Sequence, residues 1–153
     1  MTIRDAQFGF SNLYLAELVA TTGPHYEIAL SDHPQPCGEQ RAPGQTVLID
    51  LFDNPSAYDS RVMHAGAYDV WQLPEGPGND SPPTDQRSVT TWSNGPSTQL
   101  ARDGAVTIDE FSSDTLAGSF ELEFRGGKLR GSFSATFCED WRLNGVVPGP
   151  DQR

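Results

Sequence analysis

Apolar and polar residues alternate through positions 116–138 in two copies of one pattern. The copies are Leu-Ala-Gly-Ser-Phe-Glu-Leu-Glu-Phe (116–124) and Leu-Arg-Gly-Ser-Phe-Ser-Ala-Thr-Phe (129–137). In each, Leu, Gly, Phe, an apolar residue and Phe fall on alternate positions, so an extended strand has one apolar and one polar face. The connection Arg125-Gly126-Gly127-Lys128 predicts a hairpin with a Gly126-Gly127 turn, because two-residue turns need positive φ. That register pairs Leu122 with Gly131 and Phe120 with Phe133. It sets Glu123 opposite Arg130 and Glu121 opposite Ser132.

Six further runs read as strands: 7–14, 25–31, 46–52, 65–73, 88–92 and 105–111. They are rich in Val, Ile, Phe and Tyr, and most are separated by Gly, Pro, Asn and Asp. The first is able to continue to Val19, or positions 13–19 form two turns of helix instead. With turn Ser112-Ser113-Asp114-Thr115, an even loop would put Ile108 on the polar face. A bulge or odd loop restores Val106–Leu122 and Ile108–Phe120 pairing and is therefore expected. The fold class is all-β: one domain over 1–143, an antiparallel sandwich or small barrel of seven to eight strands. Positions 74–83 (Pro-Glu-Gly-Pro-Gly-Asn-Asp-Ser-Pro-Pro) cannot hold a sheet ladder and read as a long loop, the kind of segment that often carries function. Positions 144–153 read as a poorly anchored tail.

Composition narrows the function classes. With 21 acids against 10 bases the formal charge is −11, which disfavours nucleic acid and anionic membranes as partners. No signal peptide is visible. The longest apolar stretch, 13–20, is far short of a membrane span and contains Glu17. Cys37 and Cys138, the only cysteines, lack the spacing of a zinc site. Each lies at a strand end, and a disulfide between them would close a loop of roughly a hundred residues, worth about 4–5 kcal/mol in the chain-entropy estimate. A disulfide in turn implies an extracellular, cell-surface or periplasmic location. Cys138 falls on the polar parity, so the bond belongs at the strand end or outer face.

The run Gly-Ala-Val-Thr-Ile-Asp-Glu-Phe (104–111), the two repeated strands and Tyr26-Glu-Ile-Ala-Leu-Ser-Asp-His-Pro-Gln-Pro-Cys37 together resemble secreted and lipoprotein-like β-domain proteins common in myxobacteria. The resemblance spans about residues 25–138. It implies export, one disulfide and a β architecture, and it carries no catalytic residues because the family has no defined activity.

Candidate chemistry is sparse. Glu121 and Glu123 share a strand face, but a charged cross-strand ladder accounts for both. Asp50, Asp53 and Asp59 beside a turn, and Asn79, Asp80 and Asp85 in the long loop, are candidate Ca²⁺ ligands; they match no calcium-loop motif. His25, His33 and His64 have no ligand spacing. No nucleophile elbow, phosphate loop or dinucleotide fingerprint occurs, so no cofactor is expected. Trp71, Trp92, Trp141 and Tyr68 form an aromatic surplus able to stack on a sugar or protein partner, or to cap a barrel end. The preferred reading is a non-catalytic surface module that recognises a protein, a glycan or a second copy of itself, partly through an exposed sheet edge. The alternative is a ligand-binding or catalytic barrel with an aromatic-lined pocket at Phe120 and Phe133. A filled interior would favour the first.

Overall fold

A computed structural model describes residues 1–11, 25–34, 37, 44–52, 64–71 and 86–139. These residues form nine strands: β1 (Asp5–Ser11), β2 (His25–Ser31), β3 (Gln45–Phe52), β4 (Gly66–Val70), β5 (Arg87–Asn94), β6 (Ser97–Leu100), β7 (Asp103–Phe111), β8 (Thr115–Phe124) and β9 (Gly127–Phe137). The long loop at 74–83, the 13–19 segment and the tail at 144–153 lie outside the described residues.

The strand order β3-β2-β1-β9-β8-β7-β4-β5-β6, with β3 also paired to β5, closes eight strands into a barrel and leaves β6 as an extra strand. Barrel, not sandwich, is thus the architecture. Inward positions alternate along every strand, and the interior is filled by Phe8, Ile28, Leu30, Ile49, Leu51, Tyr68, Val106, Ile108, Leu116, Leu122 and Phe124. An eight-stranded barrel is just wide enough for its own side chains. The few polar groups inside are small: Ser88 Oγ donates to the Tyr68 carbonyl at 3.0 Å, and the Thr90 hydroxyl is buried without a partner among the described residues.

Six of the eight expected strands keep their positions to within two residues at each end; β1 begins two residues before and ends three residues before the expected 7–14. β4 stops at Val70 instead of reaching residue 73. β6 was not anticipated. Gly95, at φ 65°, precedes Pro96, and this positive-then-negative φ pair makes a tight primed turn that folds Ser97–Leu100 back onto β5. The expected bulge is present in β7 between Ile108 and Glu110.

Two registers differ from expectation by one pleat period. In the β8–β9 hairpin, Leu122 faces Leu129, Phe120 faces Gly131, Phe133 faces Gly118, Glu121 faces Arg130 and Glu123 faces Lys128. The turn residues are therefore Arg125 and Gly126. Across β7–β8, Val106 faces Phe120 and Ile108 faces Gly118. A two-residue slip keeps every side chain on its face, so alternation alone does not choose between the registers. Two tertiary facts do. Gly126 N donates to Gln99 Oε1 at 2.6 Å, and a β-carbon on Gly126 would lie 2.7 Å from Gln99 Nε2. Each phenylalanine also gains a glycine opposite it, which seats the two rings 6.4 Å apart.

The disulfide joins Cys37 and Cys138, 101 positions apart in sequence, with Cα atoms 5.5 Å apart. Cys138 follows β9 directly and its amide donates to the Phe8 carbonyl at 2.8 Å. The bond thus sits at the strand end, beside the junction of β9 with β1.

Outward positions on β2 and β3 are also buried: His25, Glu27, Ala29, Ser31, Thr46, Leu48, Asp50 and Phe52. The barrel wall there separates two buried layers, one apolar and one mixed. At the opposite rim from Trp92, Phe8, Phe10, Tyr26, Phe111 and Phe137 pack ring to ring with centroids 4.8–6.4 Å apart.

Candidate functional site

The barrel wall has two parallel junctions, and they are closed differently. At β4–β5 the ladder is two residue pairs long, Asp69–Arg87 and Val70–Ser88. Beyond it β6 takes over the same edge of β5 from Thr91 to Asn94, and Ala101 N donates to the Thr90 carbonyl. That junction is sealed along its length.

At β1–β9 the ladder is again two pairs, Gln7–Thr136 and Phe8–Phe137, and nothing among the described residues continues it. The Cys138 amide bonds to β1, so by strand alternation the even-numbered residues of β9 turn their peptide groups toward β1. Odd-numbered Leu129, Gly131 and Phe133 turn theirs to β8. Arg130, Ser132 and Ser134 therefore present N–H and C=O groups to the seam with no backbone partner among the described residues, and all three residues are exposed. Parallel pairing is not completed there because the chain before β1 veers to β2: Arg4 N donates to the Ser31 carbonyl at 2.7 Å, while Met1–Ile3 make no backbone hydrogen bond among the described residues.

The unpaired edge runs beside a pocket of about 170 Å³ lined by Leu30, Val47, Phe120 and Leu129 below and by Met1, Ile3, Lys128 and Arg130 at the rim. Gly131 faces inward yet is exposed, which opens the barrel interior to this slot. Of the two rim cations, Lys128 lies 3.8 Å from Glu123; Arg130 makes no ion pair among the described residues despite facing Glu121.

The aromatic residues singled out in the sequence lie elsewhere. Tyr68 is wholly buried, and its hydroxyl donates to the His64 carbonyl at 2.6 Å. Trp71 is 8% exposed and packs edge-on against Phe52. Trp92 donates from Nε1 to Gln45 Oε1 at 2.9 Å and packs against Phe124, as a ring capping one barrel end does. The structure uses these three rings for packing. Trp141 lies outside the described residues.

Asp50 is not part of an open turn. It lies inside β3, and His25 Nε2 donates to its Oδ1 at 2.8 Å with both side chains buried. The His25 ring stacks on Phe52, centroids 4.6 Å apart, and Glu27 stands directly opposite Asp50 on β2. Asp53 and Asp59 lie outside the described residues, and no group able to hold a metal ion occurs among the described ones. Asp32 forms a smaller polar node. It accepts from His33 Nδ1 and from the Gln45 amide, each at 2.9 Å, and these bonds hold its carboxyl below the ordinary carboxylate range.

Sequence reasoning foresaw a sheet edge as a contact surface but did not place it. The signal was in the chain: β9 carries Gly131, Ser132 and Ser134, small residues that leave a backbone edge accessible.

Fold and site together define a small disulfide-bonded β-barrel with an open strand edge. No protein-family model, curated protein or solved structure matches the chain. No helix among the described residues is long and apolar enough to cross a membrane.

Proposed function

We propose that this protein is an exported, non-catalytic binding module that takes its partner at the seam between β1 and β9. The observation carrying the reading is the run of unpaired peptide groups at Arg130, Ser132 and Ser134 beside an apolar pocket, in a barrel whose interior is otherwise filled. Exposed edges are normally covered, charged or kinked because they template the addition of a further strand. Here the flanking positions are Ser and Gly, and among the described residues of β9 the guards are Lys128 and Arg130 at one end. Export is supported by the disulfide and by the resemblance to secreted β-domain proteins. The ligand-binding barrel is less well supported: the pocket that reaches the barrel interior, about 170 Å³, is small beside the roughly 300–1,000 Å³ of ordinary small-molecule sites.

The test is an amide-resolved NMR titration of oxidised protein with an extended peptide, a glycan panel and increasing concentrations of itself. Shifts at the Arg130, Ser132 and Ser134 amides of the parent, with those at Arg130 and Ser134 lost in Ser132→Pro, support the reading. Proline there removes a seam-facing N–H and leaves the β8 ladder intact. Shifts confined to other surfaces, or none with any of the three classes, would overturn it.

A further inference from the structure

Resting on that reading, we infer that the seam accepts an extended acidic peptide segment carrying one apolar anchor residue, added as a strand to the free edge of β9. Three observations select this occupant. The pocket volume, about 170 Å³, is close to the roughly 150 Å³ cavity that holds one benzene, so it takes a single apolar side chain and not a lipid chain or a large cofactor. The groups beside it are peptide N–H and C=O at alternate residues, which complement another extended backbone and not a sugar ring or an isolated aromatic. The rim is cationic on a chain of net charge −11. Arg130 has no ion pair among the described residues, Lys128 has only a 3.8 Å contact to Glu123, and Arg4 borders the other side of the seam. Asp5, the one acid on strands β1 and β9, already accepts from Gln7 Nε2 at 2.7 Å.

Strand alternation then dictates the sequence of the occupant. When the anchor points inward to Leu30, Val47, Phe120 and Leu129, its two neighbours point outward, level with Arg130 and Lys128, which are outward residues of β9. The recognised unit is acid–apolar–acid. Met1–Ile3, which make no backbone hydrogen bond among the described residues but pack Ile3 against the core, must swing aside to admit it. The same unit already occurs on the other side of β9: Glu121-Leu122-Glu123 pairs with Leu129 inward and with Arg130 and Lys128 outward. The incoming strand would flank β9 as β8 does.

Acetyl-Thr-Glu-Leu-Glu-Thr-amide is titrated into the oxidised protein in parallel with versions carrying Thr or Lys in place of both Glu, and Ser in place of Leu. Amide shifts at Arg130, Ser132 and Ser134 are followed, with Arg130→Glu and Ser132→Pro as variants. The expected order is Glu over Thr over Lys, with roughly a tenfold preference for Glu over Lys that shrinks as salt screens it. Loss of binding is expected for the Ser peptide and for Ser132→Pro, and the charge preference should invert in Arg130→Glu. Equal binding of the Glu, Thr and Lys peptides would overturn the acidic specificity while leaving the seam as the binding edge. Absence of seam shifts with every peptide, alongside seam shifts produced by a glycan or by self-association, would overturn the peptide and keep the module. Seam shifts from no probe at all would overturn both.

Discussion

Gly131 faces Phe120 across the β8–β9 hairpin, and a β-carbon at position 131 would stand 3.2 Å from the Phe120 Cζ. Glycine here does two things at once: it seats a phenylalanine ring inside the barrel, and it leaves the wall thin where the seam opens. The equivalent place one step along, Gly118 opposite Phe133, is tighter. A β-carbon there would come within 2.0 Å of the Thr107 carbonyl oxygen.

These two glycines should respond differently to alanine. Gly118→Ala has to push β7 and β8 apart, and is expected to cost about 3 kcal/mol, the upper end for overpacking. Gly131→Ala meets only the far end of a side chain and is expected to cost about 1 kcal/mol or less. Urea unfolding of both variants checks the order, and equal costs would contradict the close approach at Gly118.

Reducing Cys37–Cys138, or replacing both cysteines with serine, releases a chain crosslink spanning 101 positions. The expected loss is roughly 4–5 kcal/mol, equivalent to roughly ten degrees or more in Tm at this chain length. Thermal melts with and without reductant measure it. An unchanged Tm would remove the disulfide from the stability argument and weaken the inference of export.

The buried His25–Asp50 bond is a second structural commitment. Asp50→Ala strands a buried imidazole N–H and should destabilise by about 3 kcal/mol. Asp50→Asn keeps an acceptor oxygen at the same place and should cost distinctly less. Chemical denaturation of the pair distinguishes a lost bond from a lost packing volume.

Asp32 gives the fold an acid-side dependence. His33 Nδ1 first, then the Gln45 amide, hold its folded-state carboxyl below its ordinary value of 3.8. A depressed carboxyl contributes stability above its unfolded value, and that contribution is lost as pH falls through the folded one. Asp32→Asn should therefore be less stable than the parent at pH 7, with the gap closing below about pH 4. Parallel melts between pH 7 and pH 2.5 test this; a constant gap would mean that the aspartate acts by shape alone.

Legibility of the fold tracked the range of the interaction that decided each feature. Alternation in 25–31 and 46–52 is a local property, and it placed β2 and β3 to within one residue. The β7 bulge was legible because the parity of Val106, Ile108, Phe120 and Leu122 cannot be reconciled without an extra residue. The hairpin register was not. Slipping by two conserves both faces, and the choice rests on Gln99 reaching across from β6 to the Gly126 amide, a contact 27 positions distant. The fate of the aromatics was equally hidden. Trp71 and Trp92 sit towards strand ends in the sequence and Tyr68 within a strand, yet barrel closure turns Tyr68 inward and packs the two tryptophans against Phe52 and Phe124.

By itself, then, the sequence determined what depends on period and composition: strands, their inward faces, the bulge, the acidic surface and a cysteine pair able to crosslink. Tertiary structure alone decided the rest. Closure of β3 onto β5 made a barrel out of a pattern equally suited to a sandwich, because both present the same alternation to their cores. The seam followed from the same closure. Whether β1 pairs with β9 over two residues or over its whole length depends on where Arg4 finds a carbonyl, and that carbonyl, on Ser31, belongs to a strand whose neighbour in space is set only once the barrel is shut.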